Sequence, residues 1–395
     1  MKRILVVHTG GGLGDVLLAT AVVDALKTAY PDCELDFLCR RSCWDVLQTN
    51  PDISELMVLD GRSPRNWLEF TQLSARLRSK RYDAALVLWS TTALAWLVWS
   101  AGIPIRVGQD SRLAYSFLYT HRVRIRSEHG DTDSHWTEIL LDYVRALGVE
   151  VGPAKIRLDV PPAAIAAADE LLVNYYGDYP LIGFHCTKGM RLAPGRWPIA
   201  AFAAMALALQ RQLGTQLVLT GSPEDRELVR DLLVKANLRG VLNVAGRTDL
   251  LTLTALTRRC QVFVCPDSGP MHLAASQGTP VVGIYALEED FPNRWAPYGV
   301  PHRIVRPQER NCHPGCIKAT CPDFRCYYQV DPQAVVRAVG ELLQVAALPP
   351  PAAPPASSGG SLEGSVPPSE ESSMSSSSSE ESDLGMISTG GGSST

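Results

Sequence analysis

The amino-acid sequence predicts an α/β protein made of two consecutive doubly wound domains, each with a parallel sheet. Short apolar runs alternate with helical patterns over the first 160 residues, and the alternation restarts after Val160, Pro161 and Pro162. With 395 residues, 46% of them hydrophobic, the chain is long enough for two domains that each bury a core. Ligands of such sheets bind beyond the carboxyl ends of the strands, so we expect the site in a cleft between the domains.

The expected strands are apolar runs that end at a turn or helix signal. They cover residues 4–8, 34–39 and 84–89 in the first half, and residues 181–185, 216–220, 241–244, 261–265 and 280–285 in the second. A helix is predicted over residues 15–29. Asp331 followed by Pro332 predicts the start of the last helix.

The composition divides the chain into three parts. We expect a first domain over residues 1–160, a second over residues 161–347 and a tail over residues 348–395. The tail consists mostly of Pro, Ala, Ser, Gly and Glu and has almost no large apolar side chains. Because it cannot offset the entropy of ordering by burial, we expect it to be disordered.

The charge distribution argues against a nucleic-acid partner. The formal net charge of −4 at pH 7 includes six acidic residues beyond residue 346, so the body carries about +2. Proteins that bind nucleic acid usually carry a concentrated basic face. The N-terminal apolar run, residues 4–7, is too short for a signal peptide, which predicts a cytoplasmic protein whose ten cysteines are mostly reduced.

One uncharged stretch, residues 84–103, is long enough to raise the alternative of a transmembrane helix. We expect it instead to divide into a buried strand and a short helix. Ser90 or Thr91 would cap that helix, and Gly102 with Pro104 would end it. Two tryptophans on this helix, Trp96 and Trp99, are candidates for peripheral contact with a membrane.

A glycine-rich segment, from His8 to Asp15, follows the first strand and opens the first helix. Its glycines allow a ligand or another loop to approach the backbone closely. The spacing fits neither the dinucleotide fingerprint nor a Walker loop, because the sixth residue counted from Gly10 is Asp15. An acid there would repel phosphate, so Asp15 is better suited to accept a proton. The alternative is a helix-terminal aspartate stabilised by the helix dipole.

A second candidate segment, residues 263–272, runs from an apolar strand through a tight turn into a helix. Ser268 is expected to cap this helix. Free backbone N–H groups in residues 269–271 would then bind a diphosphate without a Walker lysine, and His272 could donate to the leaving phosphate. The alternatives are that His272 is a core histidine and that Asp267 only forms the turn.

These segments belong to a set of motifs in a defined order. The set is Gly14-Asp15-Val16-Leu17-Leu18-Ala19-Thr20, Arg196-Trp197-Pro198, Leu219-Thr220-Gly221-Ser222-Pro223-Glu224, Ala245-Gly246-Arg247-Thr248, residues 267–275, and Arg294-Trp295-Ala296-Pro297-Tyr298-Gly299. Over nearly all of residues 1–345 the sequence therefore resembles glycosyltransferase family nine, the ADP-heptose lipopolysaccharide heptosyltransferases. The resemblance implies the GT-B architecture, in which two Rossmann-like domains face each other across a cleft. It also implies that the first domain binds the acceptor and the second the donor, with no cofactor and no obligatory metal.

The resemblance further implies inverting, single-displacement transfer with Asp15 as the general base. On the acceptor side it implies Gly12 and Gly14. The residues implied on the donor side are Thr187, Lys188, Arg191, Arg196, Glu224, Asp267, Ser268, Gly269 and His272. Among these, Glu224 resembles the acid that holds the nucleoside ribose. The implied partners are a nucleotide-diphosphate sugar, with ADP-heptose as the expected donor, and a lipid-linked glycan at the inner face of the cytoplasmic membrane.

One segment departs from the family pattern. The family has a basic residue shortly before the tryptophan of the Arg-Trp-Pro motif. Here the connecting stretch, residues 189–195, is longer, and Gly195 directly precedes Arg196. Arg191 or Arg196 would supply that cation.

Other patterns keep alternatives open. Asp131-Thr132-Asp133 has the form through which other glycosyltransferases bind a metal diphosphate, although a helix is expected from His135. Four clustered cysteines could hold a structural zinc or form a disulfide: Cys312, Cys316, Cys321 and Cys326. A nucleotide-sugar epimerase of the same architecture would bind the same donor but need no acceptor. A catalytically silent nucleotide-sugar-binding protein would use Asp15 as a helix cap alone.

Overall fold

A computed structural model describes residues 1–173, 175, 177–187, 196–287, 290–309, 321 and 323–346. It contains two six-stranded parallel sheets, which confirms the predicted α/β class and the two doubly wound halves. The strands of the first sheet are β1 (Arg3–His8), β2 (Glu34–Arg40), β3 (Glu55–Leu59), β4 (Ala84–Val87), β5 (Ile105–Gln109) and β6 (His121–Val123). Those of the second are β7 (Leu181–His185), β8 (Gln216–Thr220), β9 (Leu242–Asn243), β10 (Val262–Pro266), β11 (Val281–Ile284) and β12 (His302–Val305).

The two sheets share one strand order. The first runs β3-β2-β1-β4-β5-β6 and the second β12-β11-β10-β7-β8-β9. In each sheet the chain first adds strands on one side of its first strand and then adds the others on the opposite side. This switch lies between β1 and β4 in the first sheet and between β7 and β10 in the second. The carboxyl ends of the strands at such a switch point form the usual ligand crevice of doubly wound sheets.

Helices cover both faces of each sheet. Those of the first half are α1 (Leu13–Ala29), α2 (Trp44–Leu47), α3 (Trp67–Lys80), α4 (Thr92–Ser100) and α5 (Trp136–Arg145). Those of the second half are α6 (Pro162–Leu171), α7 (Ile199–Leu213), α8 (Arg226–Ala236), α9 (Leu250–Arg259), α10 (Gly269–Ser276), α11 (Pro292–Trp295) and α12 (Pro332–Ala346). Helix α1 has ten buried residues, because it packs against β1, α5 and, from the second half, α10. The core of the first half therefore continues into the contact with the second.

The uncharged stretch of residues 84–103 divides as predicted. It forms β4 and then α4, and the Thr91 hydroxyl caps α4 by accepting the Leu94 amide at 3.2 Å. Gly102 follows with φ of +75°, a left-handed conformation that glycine adopts without strain. Among the described residues, no helix has the length and hydropathy to cross a membrane.

Two predictions fall partly or wholly outside the described residues. The disordered tail, residues 348–395, lies outside them, as do Cys312 and Cys316 of the cysteine cluster. The other two members, Cys321 and Cys326, are buried.

Candidate active site

The glycine loop after β1 is shaped by close approaches that exclude side chains. A Cβ on Gly10 would lie 1.8 Å from the Trp89 ring. Gly11 has φ of +62°, and its Cβ would lie 2.5 Å from Cγ of Asp15. The Arg40 guanidinium at the end of β2 donates to the Gly11 carbonyl, an interaction that the sequence did not reveal. The loop is thus held in one conformation from both sides.

Asp15 is the third residue of α1 and lies beside this loop. Its Oδ2 accepts the Gly12 amide at 2.6 Å, so the capping role considered as an alternative is present in the structure. The other oxygen, Oδ1, has no side-chain partner among the described residues. Burial raises the pKa of Asp15, the Gly12 amide opposes that rise, and the nearby Asp267 carboxylate adds to it. A carboxylate that is harder to keep ionised is a stronger proton acceptor.

The start of α10 faces Asp15 from the second half. Ser268 precedes this helix, but its hydroxyl donates to the Pro266 carbonyl at 2.9 Å, so the predicted side-chain cap is wrong. The Met271 amide bonds to the Ser268 carbonyl at 3.1 Å, so the expectation of free amides throughout residues 269–271 is also wrong. Proline at position 270 has no amide hydrogen, which leaves the Gly269 amide and the positive end of the helix dipole for an anion.

His272 joins the two halves at this point. It is buried, and a Cβ on Gly14 would lie 2.9 Å from its Cδ2. Glycine at position 14 therefore lets the imidazole pack against the start of α1. Burial, assisted by the nearby His135, lowers the pKa of His272 to about 3. The ring is neutral at physiological pH, so it can donate a hydrogen bond but supplies no positive charge.

A polar network that the sequence did not predict lies at the carboxyl end of β7. The Thr187 hydroxyl donates to Oδ2 of Asp225 at 3.1 Å and lies 3.1 Å from Nε2 of His185. Because the hydroxyl proton is used on Asp225, Nε2 of His185 must carry the proton of the ring. Nδ1 then accepts from the Thr220 hydroxyl at 2.9 Å. Burial lowers the pKa of His185 to about 4, which fits this neutral form.

The remaining donor-side residues lie in different places. Glu224 is exposed, and its neighbour Asp225 is the one that lines the cavity. Arg196 donates to the Cys321 carbonyl, and its guanidinium lies over the Phe324 ring at 5.8 Å from the ring centroid. It therefore packs on the core of the second half. Two predicted cations, at positions 188 and 191, lie outside the described residues.

A cavity of about 860 Å³ opens between the two halves where both switch points meet. Its lining includes the predicted Gly12, Gly14, Asp15, Thr187, Asp267, Ser268, Gly269 and His272. The lining also contains Asp225, Asp249 and Asp290. Among the described residues that line this cavity there is no lysine or arginine. Asp249 caps α9 by accepting the Thr252 amide at 2.7 Å, so a second helix begins at the cavity.

The Asp131-Thr132-Asp133 pattern is part of a contact between the halves. The Asp131 carboxylate accepts the Ser134 hydroxyl and the amides of Ser134 and Asp133, the two amides at 2.8 and 2.9 Å. These bonds lower the pKa of the Asp131 carboxyl to about 2. Arg294 donates to the Asp131 carbonyl, and Nδ2 of Asn293 donates to Oδ1 of Asp133 at 3.1 Å. No group of three or more potential metal ligands occurs within the part of the chain that the structure describes.

The same contact continues along α5. Nε2 of His135 donates to the Ala296 carbonyl at 2.9 Å, while its Nδ1 accepts the Thr137 amide. The Trp136 and Trp295 rings lie 5.5 Å apart, and the Tyr298 hydroxyl donates to Glu138 at 2.9 Å. We call residues 131–138 with residues 293–298 the interdomain contact. It holds Trp295 in the wall of the cavity.

Comparisons with known proteins agree with this arrangement. The family model of glycosyltransferase family 9 (heptosyltransferase) matches residues 70–324. Lipopolysaccharide heptosyltransferase 2 of Salmonella typhimurium is 29% identical over 74% of this chain and 85% of its own length. A family 9 glycosyl transferase from Veillonella parvula has a TM-score of 0.74 at 24% identity, over 87% of this chain and 98% of that one. ADP-heptose LPS heptosyltransferase II of E. coli has a TM-score of 0.67 at 24% identity, over 87% and 99%.

The two solved structures share the GT-B fold with this chain, and the family match spans more than half of its residues. The chain is a glycosyltransferase and belongs to glycosyltransferase family 9, the heptosyltransferase family.

Proposed function

We propose that this protein transfers a heptose, or a related sugar, from an ADP-sugar to a lipopolysaccharide core or a similar lipid-linked glycan. The observation that carries the proposal is that Asp15 and the start of α10 line one cavity from opposite halves. The relative from Salmonella typhimurium is named a lipopolysaccharide heptosyltransferase, which supports this donor sugar and acceptor. We further propose that the enzyme works at the inner face of the cytoplasmic membrane without spanning it.

In the proposed reaction, Asp15 removes the proton from the acceptor hydroxyl as its oxygen bonds to the anomeric carbon. The bond between that carbon and the diphosphate oxygen breaks on the opposite face of the sugar, so the configuration inverts. The diphosphate leaves with the electron pair of the broken bond. Its charge is stabilised by the start of α10, by a hydrogen bond from neutral His272 and by the cations Lys188 and Arg191, without a metal ion.

The nucleoside end of the donor is proposed to bind between β8 and α9. Thr187 would contact the diphosphate, and Glu224 remains our candidate for the ribose hydroxyls. The starts of α9 and α10 both line the cavity, which suits a ligand with an anionic centre. Gly12 and Gly14 form the acceptor side because they belong to the opposite wall.

Two other functions would use the same fold. A nucleotide-sugar epimerase would need no base on the acceptor side, and a silent binding protein would use Asp15 only as the cap of α1. Membership of a glycosyltransferase family favours transfer. So does Oδ1 of Asp15, which has no side-chain partner among the described residues, since a capping role would need only Oδ2.

Isothermal titration calorimetry with ADP, UDP, GDP and ADP-heptose, with and without EDTA, tests the donor. We expect micromolar binding of ADP and ADP-heptose that EDTA does not change. A preference for UDP or GDP would refute the ADP donor, and loss of binding in EDTA would refute metal independence. Conversion of the bound sugar to its epimer without any acceptor would establish the epimerase instead.

A further inference from the structure

We propose that one face of the first domain binds the surface of an anionic lipid bilayer. This face consists of Trp96, Trp99 and Phe117, and we call it the aromatic face. The inference rests on the proposed function for its purpose, since a lipid-linked acceptor is presented at a membrane. The observations that support it are independent of the active site.

The aromatic face is the outer side of α4 and of the turn that packs beside it. Leu94, Ala95, Leu97 and Val98 are buried beneath α4 against the sheet. The two tryptophans lie three positions apart on the opposite side and are 39% and 48% exposed. Burial of the inner side is therefore complete without them, and packing within the domain gives no reason for large apolar side chains at these positions.

The three rings form one cluster. The Trp96 ring centroid lies 5.2 Å from that of Trp99 and 6.5 Å from that of Phe117, and both pairs meet edge to face. Phe117 is 58% exposed. Single exposed apolar residues are common on proteins, but a contiguous group indicates a binding surface. Tryptophan is the side chain most suited to a membrane surface, because its ring is apolar and its N–H can bond to water or headgroups.

Cations follow this face closely in the chain. Residues 84–125 contain four arginines and a single acid, Asp110. Arg112 pairs with Glu128 at 2.6 Å and Arg106 donates to two backbone carbonyls, so the charge left for lipid headgroups is that of Arg122 and Arg124. Arg122 of β6 pairs with Gly108 of β5. A Cβ on Gly108 would meet the Tyr119 ring, which belongs to the core beneath α4, so Gly108 and its partner Arg122 both face the α4 side of the sheet. Arg122 is exposed and forms no ion pair with the described residues. Arginines around exposed tryptophans complement the negative charge of anionic lipid headgroups.

The aromatic face lies close to the edge of the sheet that holds the cavity. Thr91 caps α4 just beyond the carboxyl end of β4, and Trp96 follows about 8 Å further along the helix axis. Trp89, between β4 and α4, lies against Gly10 of the glycine loop. An acceptor with its lipid chains in a bilayer at this face would therefore have its sugars directed toward the acceptor side of the cleft.

Sedimentation with vesicles of phosphatidylcholine, with or without phosphatidylglycerol, tests the proposal on the full chain. We expect the protein to bind the anionic vesicles and to be released at high salt. Trp96→Gln and Trp99→Gln should each weaken binding about tenfold, because each removes a large apolar surface from the contact. Arg122→Gln should weaken it about fivefold, as expected for one cation near a charged membrane. Absence of binding by the parent protein would overturn the proposal.

Trp44→Gln is the matched control. Trp44 is also 39% exposed, but it lies on α2, whose Val46 and Leu47 pack on the other side of the sheet. An equal loss of vesicle binding in this variant would refute a specific face. Dimers that dissociate in the Trp96→Gln variant would assign the face to a second copy of the chain instead. ADP titration of each variant measures donor binding independently of vesicle binding. A protein that does not bind ADP can therefore be distinguished from one that does not bind membranes.

Discussion

Replacement of Asp15 by asparagine separates its capping of α1 from its proposed role as general base. In the structure Oδ2 accepts the Gly12 amide at 2.6 Å, which caps α1. The amide oxygen of asparagine can accept the same bond, and its volume is almost that of aspartate. The variant therefore keeps the glycine loop and the helix start but loses the basic carboxylate.

The expected effect is a fall in turnover of about a hundredfold or more, the usual contribution of a general base. A hundredfold corresponds to about 2.7 kcal/mol of transition-state stabilisation. ADP affinity should stay within about threefold of the parent, because the proposed donor contacts belong to the other half. Asp45→Asn is the control, since Asp45 is an exposed aspartate on α2 that accepts from its neighbour Gln48.

The free energy of unfolding gives an independent check on the direction of the Asp15 pKa shift. Burial raises the pKa of Asp15 above its usual value of 3.8, so folding disfavours the ionised form. The contribution of this group to stability is thus fully present below pH 3.8 and is lost as the pH rises through the folded-state pKa. At pH 7 the Asp15→Asn variant should unfold at an equal or higher urea concentration than the parent. A clear loss of stability would show that the charged carboxylate is mainly structural.

The assay is transfer to a lipopolysaccharide-derived acceptor across a pH series. For the parent protein, kcat/KM should fall as the pH drops through the raised pKa of Asp15, because the base becomes protonated. In the Asp15→Asn variant this acidic limb should disappear. Turnover within about threefold of the parent would refute the assignment of Asp15 as the base.

Three further changes test other parts of the site. Gly14→Ala should reduce transfer, because its Cβ would lie 2.9 Å from the His272 ring. Gly152→Ala is the control, because a Cβ there has no neighbour within 4 Å and the residue lies outside the cavity; equal activities of the two variants would contradict this. Thr187→Val should cost about 1–3 kcal/mol in urea unfolding, because it leaves Nε2 of the buried His185 without its partner and removes one bond to the half-buried Asp225, while Thr187→Ser should retain stability. Tyr298→Phe should cost about 1 kcal/mol by removing one bond of the interdomain contact, and unchanged unfolding would argue against that contribution.

The strands predicted best are those that have a clear turn or helix signal at both ends. Residues 181–185 and 216–220 are β7 and β8 as expected, because continuous apolar runs of that length are typical of buried parallel strands. Strands β3, β5, β6 and β12 were not predicted. All four contain a charged residue and partly exposed positions, such as Arg106 in β5 and Arg303 in β12, which interrupt the apolar pattern.

Predictions of individual site residues were limited by turn geometry and by distant partners. Glu224 and Asp225 are adjacent acids, and the 3-10 turn Pro223–Asp225 directs the second toward the cavity. The His185 network joins the ends of β7 and β8 with that turn, and local sequence does not show that these ends meet. By contrast, the glycine loop was interpretable because its spacing excluded the known phosphate loops.

The charges in the cavity lead to one further prediction. Five aspartates line it, and the described lining has no cationic side chain. A helix start contributes roughly half a unit of positive charge, which is less than a leaving diphosphate requires. Lys188 follows Thr187 of the cavity wall directly in sequence and Arg191 comes three positions later, so these two cations are our candidates for the missing charge.

The double change Lys188→Met and Arg191→Met should therefore weaken ADP binding about tenfold to a hundredfold in calorimetry and reduce its dependence on salt. Arg196→Met is the matched control. Its guanidinium bonds to the Cys321 carbonyl, so its loss should lower the stability of the fold and leave ADP affinity nearly unchanged. If Arg196→Met weakened ADP binding and the double change did not, the charge that meets the diphosphate would come from Arg196, through a rearrangement on binding.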